Sequence, residues 1–563
     1  MRDHCVSIAV VFRSRLTRRA FLATTAGAAF ANYGTRADAQ PAREVLYNGI
    51  TLPQPWPPRR HHLSPTPARA PYLASPPDVI NIDVGRQLFV DDFLIEESSL
   101  YRAIHTATYH PSNPVLTPER PWEIEDPYAA ATKTPPSAAA MVYSDGVFFD
   151  PADRVFKMWY MAGYQQHTAL ATSNDGVSWT RRNASVIPGT NIVRKHRRDS
   201  STVWLDLHDR DSSARYKMAW TPMEGDGRLR LSTSPDGVRW TDRATAGPSG
   251  DRTTMFYNPF RRRWCFSLRD DDRELKRIRR YYESEGFTTA RWTAGEPVPW
   301  VAAESLDLLQ QGANVRPELY NLDAVAYESV MLGLFAVFRG EESDREKPND
   351  VCIGFSRDGF HWSRPTHDRF IPVSNRPGDW NWANVQSAGG VCLVIGDQLY
   401  FYVSGREGVP GTSMPGRCST GLATIRRDGF VSMTDAWPSG ATRPVMRHQS
   451  TLITRPLRFT GAHAFVNADV AGTMRVEMLD RDGKTIPGFE AARSVPVTGS
   501  HTRQAVSWTG DASLARLANA IVRFKFVLDR AHLFAFWVSP SVRGESRGYV
   551  AAGGPGYPGA MDA

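Results

Sequence analysis

Cysteine is scarce in this chain and scattered. Five occur among 563 residues: Cys5, Cys265, Cys352, Cys392 and Cys418. They show no CxxC spacing and no histidines at metal-ligand intervals, which excludes a zinc module or a disulfide scaffold as the organising principle. Cys265, Cys352 and Cys392 sit in apolar, strand-like runs and read as buried thiols. Long apolar runs are also missing: none after the N-terminal leader approaches the roughly 20 residues of a membrane-spanning helix. Long helical periodicities are nearly absent. Charge of one sign is not in excess either, for 67 Lys and Arg face 59 Asp and Glu, a formal +8. Residues 1–39 carry six Arg and two Asp, hence +4 of that total. The remainder, spread over more than five hundred residues, is too small to argue for a nucleic-acid partner or a membrane surface.

What is present begins with an export signal. Thr17-Arg18-Arg19-Ala20-Phe21-Leu22 has the twin-arginine form, a short apolar run follows, and Ala37-Asp38-Ala39 fits small-residue cleavage. The expected mature chain starts near Gln40 and is periplasmic or secreted by twin-arginine translocation. That compartment leaves room for one disulfide among Cys265, Cys352, Cys392 and Cys418 without selecting its pair.

The sequence also repeats itself. Ser173-Asn174-Asp175-Gly176-Val177-Ser178-Trp179 returns as Ser234-Pro235-Asp236-Gly237-Val238-Arg239-Trp240 and as Ser356-Arg357-Asp358-Gly359-Phe360-His361-Trp362. Weaker echoes centre on Gly286 and Gly429, so that successive glycines lie 61, 49, 73 and 70 residues apart. Each copy follows a short apolar strand, and an Asp-Gly pair between strands is a turn signal because glycine accepts positive φ. Upstream of each copy stand two more strands, such as AMVYSDGVFFD with VFKMWYMAG, and STVWLDL with RYKMAWT. Five units of four antiparallel strands predict an all-β fold, a five-bladed β-propeller over about residues 136–435, which leaves only short, protected sheet edges. The Asp-Gly turns themselves read as architecture, not chemistry.

The domain plan follows from composition. Residues 1–39 are the signal; 40–78, rich in Pro and Arg, a linker or wrapping arm. Residues 79–440 form the propeller, with 79–135 as its lead-in. Residues 441–542 alternate like the strands of a C-terminal β-sandwich, and 543–563, rich in Gly and Pro, a flexible tail.

Five blades, the SxDGxxW hairpin, Asn113-Pro114-Val115-Leu116 ahead of blade one and a terminal sandwich resemble the five-bladed propeller glycoside hydrolases, families 32, 43 and 68. RQLFVDD, FKMWYMAG, YNPFRRRW and TGLATIRRDGF are similar to exported bacterial proteins usually labelled family 32-like. The resemblance covers roughly residues 79–540 and implies the fold; activity does not follow from fold. The Asn-Asp-Pro-Asn-Gly, Arg-Asp-Pro and Glu-Cys motifs of family 32 are absent, with Asp126-Pro127 and Arg198-Asp199 as fragments only. Fructan cleavage therefore does not transfer.

Catalytic candidates come from register instead. The turns between first and second strands fall at Asp150, Asp206, Asn258 and Glu328. Asp199 and Asp251 each lie seven residues before their mark, and Asp323 lies five before its own. All three offsets are odd, so on strands of period two the three carboxylates face one way, toward the channel mouth. Paired carboxylates serve glycoside hydrolysis, one donating a proton and the other attacking or activating water, and their mutual repulsion raises one pKa. Asp145 shares the parity within Ser-Asp-Gly, where it reads as a turn or bulge residue. Glu341, at the end of a second strand, is the long-armed acid candidate. Arg252, Arg269, Arg339, Arg406, Asn321 and His167 are the expected substrate contacts, the guanidinium forks suiting an acidic or sulfated glycan, with Trp380 and Trp382 as sugar platforms.

The expected function is an exported glycoside hydrolase acting exo-fashion in a funnel. The alternatives are a non-catalytic carbohydrate-binding propeller and a phosphorylase. A sialidase would need six blades and a longer Asp-box. No cofactor or metal is required, although channel carboxylates leave room for a structural Ca2+.

Overall fold

The computed structural model describes residues 43–59, 62–125, 137–307, 316–340, 348–412, 414–436, 450–510 and 512–563. The export signal, Asp126-Pro127 and Glu341 lie outside the described residues.

The molecule is all-β, a five-bladed propeller joined to a sheet built largely from the C-terminal residues. Blade one comprises Ala139–Asp150, Val155–Ala162, His167–Ser173 and Ile192–Arg194, and blade two Arg198–Leu205, Tyr216–Pro222, Arg228–Ser234 and Thr241–Pro248. Thr254–Asn258, Arg263–Asp272, Lys276–Ser284 and Val298–Val301 form blade three, and Glu318–Glu328, Val330–Phe338 and Asn349–Ser356 carry blade four. Blade five pairs Asn384–Ser387 and Leu393–Ile395 with Gln398–Arg406 and then Cys418–Arg426. Its outer strand comes from far upstream: Thr108–Tyr109 pairs with Ala423 and Thr424, and Leu116 bridges Thr420. The NPVL stretch thus closes the ring. Both faces of a blade pack against neighbours, which is why Ala139–Asp150 and Val330–Phe338 are buried at every position and their sequences run apolar without alternation.

The repeated turn explains itself in this setting. Ser234 Oγ accepts the Gly237 N–H at 2.8 Å, while Asp236 Oδ1 accepts the amides of Val238 and Arg239 at 2.8 Å each. Asp175 and Asp358 make the same contacts in their own turns. Each turn then docks on the preceding blade. Trp159 of blade one donates to the Gly237 carbonyl, Tyr402 of blade five to that of Gly176, and Trp300 of blade three to that of Phe360. The motif is an interblade latch. The alignment marks are structural too: Asp150 is held by Lys157, Arg215 and Tyr216, and Asp206 by Lys217.

Two expectations need correction. Residues 80–104, read as a lead-in to blade one, instead supply four strands to a ten-stranded sheet with Ser450–Thr454, His463–Asp480, Val497–Val506 and Val522–Ser539. Its two 18-residue strands pair along their whole length through register shifts, and the sheet closes over Phe89, Phe524, Phe526 and Phe536 as the sandwich core. The sequence of 80–104 carries the right apolar pattern, but its partners lie more than three hundred residues away, beyond any local signal. Asp428, in blade five's version of the turn, joins the two parts by accepting from Arg86, Tyr327 and Asn467.

The Gly/Pro-rich tail is packed against the propeller. Tyr549–Val550 pairs with Tyr327 and Glu328, Phe149 donates to the Ala552 carbonyl, and Val394 donates to that of Gly553. It fills the axis at the turn end of the inner strands of blades one, four and five. Glycine permits this close approach, since a Cβ on Gly554 would fall 1.8 Å from the Val394 carbonyl oxygen. Glu328 anchors it, accepting from Ser546 at 2.7 Å and Arg427 at 2.9 Å. Finally, Cys265, Cys352, Cys392 and Cys418 are all free and buried, so no disulfide joins them. Cys265, Cys352 and Cys418 lie on strands of blades three, four and five, and Cys392 stands just ahead of Leu393–Ile395. Before the propeller, residues 43–59 and 62–78 pack on blades three and four, with Glu44 paired to Arg261 and Tyr72 bonded to the His361 carbonyl.

Candidate functional site

At the other end of the axis, the starts of the inner strands are irregular. Register shifts lie between Met141 and Gly146, Arg198 and Ser201, and Leu319 and Asn321. Bulges re-aim side chains, and here residues from the other four blades gather around one residue of blade three, Arg252. Its main-chain N–H donates to Asp199 Oδ1 at 2.8 Å. Its Nη2 donates to Asn321 Oδ1 at 3.0 Å and to the Ser387 carbonyl at 3.2 Å. The group lies over the Tyr143 ring, 4.1 Å from its centroid. Arg406 adds a second guanidinium over Tyr143 and Tyr164.

The three register-derived carboxylates relate to Arg252 in different ways: Asp199 accepts from its main-chain N–H, Asp251 acts on Asp199 through its charge, and Asp323 connects to it through Asn321. Asp199 is buried, and desolvation together with the negative charge of Asp251 pushes its carboxyl above the usual range, against the Arg252 N–H and the charges of Arg252 and Arg198. Asp251 precedes its strand in a turn, more open, with its side chain 39% exposed and ion-paired to Arg269 at 3.1 Å and Arg277 at 3.0 Å. Asp323 sits deeper, accepting from Asn321 at 2.7 Å and Ser387 at 2.6 Å, and burial raises its pKa. Asp145 is sealed beside Arg198 at 2.6 Å, both side chains fully buried, and is likewise raised by burial.

Of the expected substrate contacts, some remain at the mouth and some do not. Arg269 is partly exposed beside Asp251 and Asp271. Arg406 is partly exposed with its Nε free of a hydrogen-bond partner among the described residues. His167 is half-buried, and burial with the nearby Lys195 and Arg198 charges pushes it down to about 4, so it is neutral at pH 7. Five assignments are corrected. Arg252 is 1% exposed and locked inside the site, and Asn321 is wholly buried as its bridge. Arg339 is buried in blade four against Asp350 and the Cys352 sulfur. Trp382 is buried, and Trp380 lies across Gly405 and Gly421 and meets Tyr109 edge-on, so both pack blade five and offer no sugar platform.

Sequence reasoning missed Tyr143, Arg277, Arg279 and Ser387. Tyr143 adopts φ 48° inside its bulge, which nothing in AMVYSDG announces. Arg277 and Arg279 did leave a signal: cations two apart on a strand share a face. Among the described residues no group of three or more His, Cys, Asp or Glu is placed to hold a metal ion, and no helix is long and apolar enough to cross a membrane.

No family model matches the sequence, and no curated protein does. Similar solved structures include an N-acetylgalactosamine deacetylase from F. plautii in complex with blood group B trisaccharide (15% identity, 62% of this chain and 97% of that one, TM-score 0.37). Others are an exo-beta-1,3-galactanase from Phanerochaete chrysosporium with galactose (13%, 71% and 99%, TM-score 0.34) and a fructofuranosidase from Schwanniomyces occidentalis with fructosylnystose (12%, 78% and 98%, TM-score 0.33). Likeness of this degree carries no argument, so the functional reading rests on the residues above.

Proposed function

We propose that the chain is a glycoside hydrolase acting at the Asp199 end of the propeller axis. The observation that carries this is the pairing of unlike carboxyls: Asp199, buried and raised, next to Asp251, more open and ion-paired. Asp199 is the proton donor to the leaving oxygen. Asp251 is the partner carboxylate that activates water or attacks C1. The tail closes the opposite end of the axis, so a glycan enters by one mouth and presents its end, which supports exo action. Arg406, Arg269 and neutral His167 at the mouth suit a substrate carrying a carboxylate or sulfate. The Arg18-Arg19 signal supports a periplasmic or secreted enzyme.

A second reading is a carbohydrate-binding propeller without turnover. It is favoured by Asp323 and Asp145, whose carboxylates are committed inside the protein. One assay separates the readings: free sugar released from a panel of neutral, acidic and sulfated oligosaccharides, with and without phosphate. Hydrolysis that Asp199→Asn and Asp251→Asn each reduce by about three powers of ten, with glycan binding kept, supports the proposal. Binding without release supports the second reading, and release that requires phosphate supports phosphorolysis.

A further inference from the structure

Arg252 has an unusual backbone. Its φ is 55°, the left-handed region that a branched or long side chain enters only when its surroundings hold it there. What holds it is on both sides. Arg279 Nη2 donates to the Arg252 carbonyl at 2.7 Å, and Arg279 is itself fixed by the Ser267 hydroxyl and the Tyr320 carbonyl. The guanidinium is pinned by Asn321, Ser387 and the Tyr143 ring. Asn321 is thereby oriented, oxygen toward Arg252 and amide nitrogen toward Asp323. The twisted backbone points the Arg252 N–H at a single oxygen of Asp199.

We infer that Arg252 is the positioning residue of this site: its left-handed main chain gives Asp199 Oδ1 a fixed donor and so assigns the acidic proton to Oδ2. An oxygen that accepts from an N–H offers its lone pair there, and the carboxyl hydrogen resides on the other oxygen. This rests on the glycosidase reading for its use, while the geometry stands without it. The charged and titratable groups facing Asp199 are Asp251, Arg198, Arg252 and Tyr143. Of these, only Arg252 reaches it through a main-chain donor.

The test compares Arg252→Gly with Arg252→Ala. Both lose the guanidinium, but glycine keeps the left-handed conformation freely and alanine does not. Carboxyl 13C NMR of Asp-labelled protein, with Asp199→Asn to assign the resonance, reads the titration of Asp199 whether or not any glycan is cleaved. Losing a donor to the ionised form raises a carboxyl pKa. Alanine is therefore expected to bind the Asp199 proton about tenfold more tightly than glycine does. Where a substrate is hydrolysed, alanine lowers kcat with KM little changed. Equal titration in the two variants overturns the inference. Should either variant fail to fold, Arg279→Lys serves instead. It loosens the Arg252 carbonyl without touching Asp199, so a shifted titration supports the assignment and an unshifted one overturns it. A wild type that titrates as described but cleaves nothing removes the glycosidase reading and leaves the positioning role intact.

Discussion

The indole N–H of Trp159 ends 2.8 Å from the carbonyl oxygen of Gly237, across the boundary between blades one and two. Gly237 holds φ 77°, and a Cβ there would stand 2.5 Å from the Trp159 ring. The turn residue is thus chosen twice over, by its own backbone and by its neighbour. Gly237→Ala is expected to destabilise the fold by about 2 kcal/mol or more, combining left-handed strain with overpacking. Trp159→Phe, which leaves a buried carbonyl unpaired, should cost at least about 1 kcal/mol. Urea unfolding followed by tryptophan fluorescence measures both.

Stability should fall from mildly acid to alkaline pH on account of the axial carboxyls. Asp145, Asp199 and Asp323 all have folded pKa values raised by burial. Their neutral forms favour the folded state below the unfolded value of about 3.9, and that contribution is lost as pH rises through each folded pKa. Asp323→Asn is expected to flatten the decline and to leave stability at pH 8 equal or higher. Asp150 runs the other way: its pKa is lowered, with three hydrogen-bonded partners outweighing the burial that raises it. Its contribution is present above about pH 4 and disappears in acid. Urea midpoints at pH 5 and pH 8 decide the first point; an acid titration decides the second.

The pH dependence of hydrolysis should carry an alkaline limb set by Asp199, because deprotonation removes the proton donor. Removing the negative charge of Asp251, which helps raise Asp199, should move that limb to lower pH in whatever residual activity Asp251→Asn retains. A limb that stays fixed would mean that Asp199 does not supply the proton.

Deleting residues 543–563 should lower the melting temperature by about 5 °C or more. The deletion strips Glu328 of Ser546 and uncaps Phe149, Val394 and Cys392. Hydrogen exchange at the amides of Phe149 and Val394 should accelerate. A melt unchanged from the full chain would show that the tail only rests on the axis.

Thiol chemistry offers a further check. Cys265, Cys352, Cys392 and Cys418 are buried and free, and burial lifts their pKa values, that of Cys418 to about 12. None of the four should react with a thiol reagent in the native protein, and all four should react in denaturant, oxidised and reduced samples behaving alike.

The propeller was legible because its signals are local and repeated: an Asp-Gly turn, a following Trp and paired apolar strands need only neighbouring residues to be recognised. The site was legible in part. Counting by twos from the turns reached Asp323, which lies in regular strand, and Asp199, although a bulge resets the register there. The same counting cannot say that Asp251 leaves the strand for a turn, or that Arg252, Asn321 and Arg339 face inward to other protein groups. The roles of arginines depend on which carboxylates long-range folding brings to them, as Arg339 with Asp350 and Arg198 with Asp145 illustrate. The tail misled for a related reason. Glycine and proline mark flexibility when nothing is near, and close contact when a strand edge is.

The outer strand of blade five is made before blade one, and the strands of 80–104 find their partners only after the propeller has been threaded; Ser99 bonds to Thr451 across 352 residues. A ribosome delivering this chain from its N-terminus therefore releases its first strands long before anything exists to pair with them. The strands of the middle blades have partners close in sequence, whereas the ring and the ten-stranded sheet wait for residues made much later. The strands of 80–104 are made early and gain their partners only late.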